Sequence, residues 1–82
     1  MIIQYPLSTE KTIRLMESQN TLIFMVEKAA TKAEVKKEIQ ERFQAKVKTV
    51  NTSIGPDGKK KAYVTFAAET PAIDIATKLG LL

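Results

Sequence analysis

No cysteine, histidine or tryptophan occurs among the 82 residues of the chain. Without cysteine there is no disulfide, no thiolate nucleophile and no cysteine zinc ligand, and without histidine the usual general base near neutral pH is missing. Glycine is scarce, and Gly58-Lys59 lacks the spacing of a phosphate-binding loop. Glu34, Glu38 and Glu41 alternate with lysines at helical spacing, which favours solvated ion pairs over a catalytic carboxylate pair. We therefore expect no enzyme activity, no cofactor and no metal site.

Targeting and membrane-spanning patterns are also missing. Residues 1–6 have neither the basic region nor the long apolar region of a secretory signal peptide. The longest strongly apolar run, Leu22–Val26, is far shorter than the ~20 residues that cross a bilayer. With 44% hydrophobic and 27% charged residues, the composition is that of a globular protein. The sequence predicts a single cytoplasmic domain over residues 1–82, without membrane insertion.

Positive charge is concentrated in the middle of the chain. The net charge is +4, from 13 Lys/Arg and 9 Asp/Glu. Residues 28–61 hold ten basic and four acidic residues, a net +6, while the remainder carries three basic and five acidic residues, a net −2. Such a cationic block suits a polyanionic partner such as a nucleic acid. A solvated surface that keeps the protein soluble explains the same charges, and charge alone leaves both explanations open.

The clearest helix signal follows Thr31. Thr31 and Glu34 match the capping box, in which the N-cap hydroxyl and the carboxylate three residues later satisfy backbone donors reciprocally. Val35, Ile39 and Phe43 then recur at intervals of four residues and form one buried stripe. The sequence therefore predicts a helix that begins after Thr31.

Two shorter helices are predicted nearer the ends of the chain. Ser8 is the expected N-cap of the first, which should end at the turn-forming polar residues 18–20. Thr70 and Pro71 supply an N-cap followed by proline at the first helical position of the last helix. Gly80 suits its C-terminal stop.

Four segments have the pattern of strands. Residues 2–5 and 46–54 are rich in residues that favour strands, and residues 61–67 alternate between apolar and polar. Residues 21–27 are apolar on both alternating faces, which indicates helices on both faces of the sheet. The turn at residues 55–60 makes an antiparallel hairpin of the last two strands. The predicted fold is α/β, of α+β type, in the order β-α-β-α-β-β-α.

Two groups of residues on the predicted hairpin favour a nucleic-acid surface. Lys59-Lys60-Lys61 can reach phosphates, and Tyr63 can stack on a base or bond to a sugar. The alternative is a basic edge that discourages aggregation. Asn51-Thr52-Ser53 can bond phosphates and ribose hydroxyls, or be an ordinary solvent-facing strand. An RNA recognition motif is disfavoured, because its run of adjacent aromatic residues is missing.

Five groups of residues occur in a suggestive order: Pro6-Leu-Ser-Thr-Glu-Lys11, then Asn20, then Ala30-Thr-Lys32 with Glu34 and Lys36, then Val50-Asn-Thr52, and finally Lys60-Lys-Ala-Tyr-Val64. Their order and spacing resemble the uL23 family of large-subunit ribosomal proteins. The resemblance covers essentially the whole chain, and it depends on the five groups together, since none is diagnostic alone. It implies an antiparallel four-stranded sheet with helices on both faces.

The resemblance also implies a function. A member of this family is a structural constituent of the large ribosomal subunit and binds large-subunit rRNA beside the exit of the polypeptide tunnel. Signal recognition particle or trigger factor would dock there, next to a protein of the uL29 family. The candidate rRNA-binding residues are Thr9, Lys11, Lys32, Lys36, Asn51, Thr52, Lys59, Lys60, Lys61 and Tyr63. Candidate docking residues are Ser8 and Glu10, although a glutamate in a first helical turn also favours the helix dipole.

One departure from the bacterial pattern narrows these expectations. Bacterial members carry a long basic loop between the last two strands, but Gly55–Lys60 is too short to reach into the tunnel at ~3.5 Å per residue. The compact form resembles archaeal members, for which signal recognition particle is the expected docking factor. Two rival functions remain: a free-standing RNA-binding regulator, which would prefer a short single-stranded sequence, and a protein-interaction module, whose affinity would be nearly insensitive to salt.

Overall fold

The structure is a computed structural model that describes residues 3–7 and 9–80. Within these residues, the elements are β1 (Ile3–Pro6), α1 (Glu10–Gln19), β2 (Thr21–Val26), α2 (Lys32–Phe43), β3 (Val47–Ile54), β4 (Lys60–Phe66) and α3 (Ala72–Lys78). The strands form one antiparallel sheet in the order β1-β2-β4-β3. The predicted α+β class, the four-stranded antiparallel sheet and the order β-α-β-α-β-β-α are confirmed.

The hairpin of β3 and β4 joins the sheet through β4, which pairs with β2. β4 is therefore a central strand and β3 lies at the edge. β4 pairs with β3 on one side and with β2 on the other, and Val64 is the partner of both Val50 and Leu22. Because β2 and β3 are both antiparallel to β4, they run parallel to each other and need a long crossover connection. The helix α2 provides that connection.

The core is built around β2, all six of whose residues are buried. Leu22, Phe24 and Val26 belong to a hydrophobic cluster with alternate residues of β4 and with residues of all three helices. Within this cluster, the helices contribute Met16 of α1, Val35 and Ile39 of α2, and Ala72, Ile75 and Ala76 of α3. Ile23 and Met25, on the opposite face of β2, are 3% exposed. Both sides of this strand are therefore buried, as predicted. All three helices, however, contribute to the cluster on the face of Leu22, Phe24 and Val26, so the expectation of helices on both faces of the sheet is not met.

The N-cap of α1 is Thr9, so the prediction of a cap at Ser8 is wrong. The Thr9 hydroxyl accepts from the Thr12 backbone N–H at 3.3 Å, and the Thr9 N–H donates to the Thr12 hydroxyl at 2.7 Å. A capping box needs a side-chain acceptor three residues after the cap. Counted from Ser8, that position is Lys11, which has none. Ser8 itself lies outside the described residues.

Thr70 does not cap α3 either. Pro71 occupies the N-cap position without a side-chain hydrogen bond, and the Thr70 hydroxyl accepts from the backbone N–H of Lys46 at 3.2 Å. Thr70 therefore links the loop before α3 to the segment that precedes β3 by a hydrogen bond. Gly80 follows the helix with φ +75°, in agreement with its predicted role as a stop.

Replacing Thr31 with alanine is expected to lower the free energy of unfolding by about 1 kcal/mol. The predicted capping box of α2 is present: the Thr31 hydroxyl accepts from the Glu34 N–H at 3.2 Å, and the Glu34 carboxylate accepts from the Thr31 N–H at 3.1 Å. Urea denaturation measures the loss. Thr31→Ser keeps the hydroxyl and should be nearly neutral, so an equal loss in both variants would contradict the capping role.

Candidate nucleic-acid interface

The side chains of β4 divide cleanly between the two faces of the sheet, because successive residues of a strand point in opposite directions. Ala62, Val64 and Phe66 are buried in the core. On the other face, Lys61, Tyr63 and Thr65 are half-buried. This is the division that the alternation of the sequence predicts.

The register of the sheet extends this second face onto β3. Tyr63 lies opposite Asn51, Lys61 opposite Ser53, and Thr65 opposite Thr49. Directly opposite residues of antiparallel strands have Cβ atoms ~5 Å apart and share a face. We call these six residues the polar hairpin face: Thr49, Asn51, Ser53, Lys61, Tyr63 and Thr65. Its three β3 members are exposed.

The polar hairpin face ends at β2. Ile23 is the neighbour of Tyr63 on this side, and Met25 is the neighbour of Lys61. Both β2 residues are buried. At the third pair, the Thr21 and Thr65 hydroxyls are hydrogen-bonded at 2.9 Å. A ligand on this face would therefore approach over β3 and β4.

Lys60 lies on the other side of the sheet and is already bound. Its ammonium group donates to the backbone carbonyls of Ala30 at 2.5 Å and Lys28 at 3.4 Å. These bonds hold the start of β4 to the loop that leads into α2. Lys60 is thus a structural tether, and the three consecutive lysines do not act as one group.

Three other lysines lie close in the chain to the groups joined by these bonds, at one end of the sheet. The carbonyl of Lys28 accepts one of the bonds, Lys59 precedes Lys60, and Lys32 is the first residue of α2. We call Lys28, Lys32 and Lys59 the cationic end. All three are exposed, and among residues 3–7 and 9–80 none of them forms an ion pair. The candidate Lys36 lies one helical turn beyond Lys32 and is also exposed.

The turn that carries Lys59 is ordered by its own hydrogen bonds. The Lys59 N–H donates to the Asp57 carboxylate at 3.1 Å, and the Gly55 N–H donates to the Lys59 carbonyl at 3.0 Å. Gly58 has φ +78°, a conformation that glycine adopts without steric cost. The backbone of Lys59 is thus fixed while its side chain remains exposed.

Three candidates lie apart from these two surfaces. Thr52 is opposite Ala62 on the core side of β3 and is half-buried. Thr9 uses its hydroxyl as the cap of α1, and Lys11 is an exposed residue of the first turn. The candidate docking residue Glu10 is exposed and forms an ion pair with Arg14 at 2.8 Å. The other docking candidate, Ser8, lies outside the described residues.

Part of the cationic block is engaged in ion pairs. Lys46 pairs with Glu69 at 3.3 Å, and Arg42 with Glu38 at 3.7 Å. In the described part of the chain, no cluster of three or more acidic residues could hold a metal ion. No helix described there is long and apolar enough to cross a bilayer.

Asn20 has a structural role that sequence reasoning missed. It follows α1 with φ 53°, and its side-chain amide donates to the carbonyls of Phe66, Ala67 and Thr70 at 3.0–3.2 Å. Its amide oxygen accepts from the Ala72 N–H at 2.6 Å. The turn-forming residues 18–20 located the end of the helix, but they gave no sign of these partners about fifty residues away.

Comparison with known proteins identifies the family of the chain. Residues 1–73 match the family model of ribosomal protein L23. The large ribosomal subunit protein uL23 of Methanococcus maripaludis strain C5 is 49% identical over 80 residues, which are 98% of this chain and 93% of that protein. The uL23 protein of Methanococcus aeolicus is 44% identical over the same shares. That of Trypanosoma brucei brucei is 48% identical over 99% of this chain, but this covers only 49% of the longer protein.

The resemblance seen in short segments thus extends over nearly the whole sequence, and it includes archaeal proteins of almost the same length. This agrees with the predicted archaeal type and with the predicted location on cytoplasmic ribosomes. The chain belongs to the uL23 family, whose members are structural, non-enzymatic constituents of the large ribosomal subunit.

Proposed function

We propose that this chain binds large-subunit rRNA through the polar hairpin face and the cationic end, as one RNA-binding domain beside the exit of the polypeptide tunnel. One observation carries the proposal: the register places Asn51, Lys61 and Tyr63 side by side on an accessible face of the sheet. A uL29-family protein and signal recognition particle are the proposed neighbours, with Ser8 and Glu10 at the docking surface for the latter.

The two surfaces would contribute different interactions. Lysines of the cationic end neutralise phosphates and release counterions, a contribution that does not depend on nucleotide sequence. Hydroxyl and amide groups of β3 can bond phosphate and ribose oxygens and thereby fix the position of the RNA. Lys59 of the cationic end directly precedes β4 and Lys61 of the polar hairpin face is its second residue, so one RNA segment at the start of β4 would contact both surfaces.

Removing Lys59 and Lys61 together should weaken the binding of large-subunit rRNA and reduce its salt dependence. Each lost phosphate contact lowers the slope of log K against log salt by roughly 0.7–0.9, so Lys59→Met with Lys61→Met should lower it by about 1.5. Filter binding at several salt concentrations measures the slope, with purified rRNA from a methanogen as ligand.

A matched control separates local contacts from overall charge. Lys37→Met with Lys78→Met removes the same charge from two exposed helical positions outside both surfaces, and should leave the slope nearly unchanged. Equal slopes in the two double variants would contradict the proposed surface. Binding that is insensitive to salt in the unmodified protein would instead favour a protein-interaction module.

A further inference from the structure

Tyr63 is the aromatic residue of the polar hairpin face, and its hydroxyl forms no hydrogen bond within the described residues. Its ring is half-buried, with buried Ile23 on one side and exposed Asn51 on the other. Within the described residues, neither the Tyr63 hydroxyl nor the Asn51 amide has a hydrogen-bond partner. The ring is therefore supported from the β2 side and accessible from the β3 side.

Charged and polar residues lie next to Tyr63 on β4 and on β3, at the regular spacing of residues along a strand. Lys61 precedes Tyr63 by two residues on the same face, about 7 Å along the strand. Thr49, Asn51 and Ser53 place a second row on β3, again at every second residue. The surface thus offers a ring for stacking, an amide for the edge of a base, and an ammonium group with hydroxyls for the sugar-phosphate backbone.

We infer that Tyr63 stacks on an unpaired nucleotide of the bound RNA, with Asn51 at the base edge and Lys61 at an adjacent phosphate. This inference rests on the proposed rRNA binding and specifies the kind of RNA that is bound. A base inside a duplex is already stacked on both sides, so a ring on a sheet cannot reach its face, whereas unpaired bases are commonly stacked on aromatic side chains.

The chain contains two tyrosines and no tryptophan, so tyrosine fluorescence can report on the contact. Tyr5 lies on edge strand β1 and is 46% exposed, and Tyr5→Phe leaves Tyr63 as the only strong emitter. Oligouridylate should quench the emission of the Tyr5→Phe protein, whereas an RNA duplex of equal length should not. Unchanged Tyr63 emission with oligouridylate bound would overturn the inference.

Affinity for large-subunit rRNA provides the second test. Tyr63→Leu should weaken binding about tenfold, because the stacking of one base is lost, but its salt slope should stay unchanged, because no charge is removed. Tyr63→Phe keeps the ring and should bind within about threefold of the unmodified protein. Circular dichroism confirms that both variants are folded.

The outcomes separate the inference from the proposed function. If the unmodified protein binds rRNA and Tyr63→Leu binds equally well, the stacking inference is wrong and the rRNA-binding proposal stands. If the unmodified protein binds rRNA no better than an unrelated protein of equal charge, the proposed function fails, and the inference fails with it. Should Tyr63→Leu not fold, the fluorescence titration decides the question.

Discussion

Replacing Asn20 with alanine is expected to lower the free energy of unfolding by about 3 kcal/mol, a large share of the stability of a small domain. The side-chain amide makes three bonds to backbone carbonyls between Phe66 and Thr70, and its oxygen accepts from the N–H of Ala72. Alanine removes all of these bonds: the Ala72 N–H loses the oxygen that accepts from it, whereas the Ala67 carbonyl keeps the N–H of Thr70 as a donor. It must also adopt the left-handed conformation at φ 53°, which asparagine tolerates better.

Two further variants divide this loss into its parts. Asn20→Gly removes the side chain but adopts a positive φ freely, so it should be more stable than Asn20→Ala by about 1 kcal/mol. Asn20→Asp keeps the oxygen that accepts from Ala72, but it directs a carboxylate at three carbonyl oxygens. The Asn20→Asp protein should therefore be no more stable than the Asn20→Gly protein. Urea denaturation measures all three, and a loss below about 1 kcal/mol in every variant would contradict the role of Asn20.

The importance of Asn20 follows from what it joins. Its backbone carbonyl accepts from the N–H of Phe66, and its side chain bonds to the loop between β4 and α3. One residue therefore connects the end of α1, the end of β4 and the start of α3. Since Thr70 also binds the segment that enters β3, this loop holds four elements in position.

Local patterns predicted the elements and their order because local interactions determine them. The capping box at Thr31 and the alternation from Ala62 to Phe66 involve neighbours in sequence, and the structure confirms both. The cap at Ser8 was predicted wrongly, although Thr12 gave a usable signal, since its hydroxyl stands three residues after Thr9. The order of the strands in the sheet depends on pairing between distant segments, which periodicity does not report.

The candidate site was predictable to the same extent. Alternation placed Lys61 and Tyr63 together on the polar face, and the register of β3 adds Asn51. The different role of Lys60 was missed, because its carbonyl partners lie about thirty residues away. The signal was nevertheless present: the alternation that directs Lys61 outward directs Lys60 to the side of Ala62.

Lys60 and Lys61 offer a direct comparison of a structural lysine with one that is proposed to contact RNA. Lys60→Met is expected to lower the free energy of unfolding by about 2 kcal/mol, because the carbonyls of Ala30 and Lys28 lose a charged donor. Lys61→Met should change it by less than about 0.5 kcal/mol, because its half-buried side chain makes no hydrogen bond or ion pair in the described part of the chain.

Lys60→Met should have the larger effect on stability, whereas Lys61→Met should have the larger effect on rRNA binding. Both remove one positive charge, yet only Lys61→Met should lower the slope of log K against log salt by the roughly 0.7–0.9 expected for one phosphate contact. Lys60→Met should retain nearly the full slope at a temperature where it is folded, because its ammonium group is held by carbonyls. If Lys60→Met loses the slope and keeps its stability, the tether releases Lys60 to the RNA, and its assignment as a structural residue is wrong.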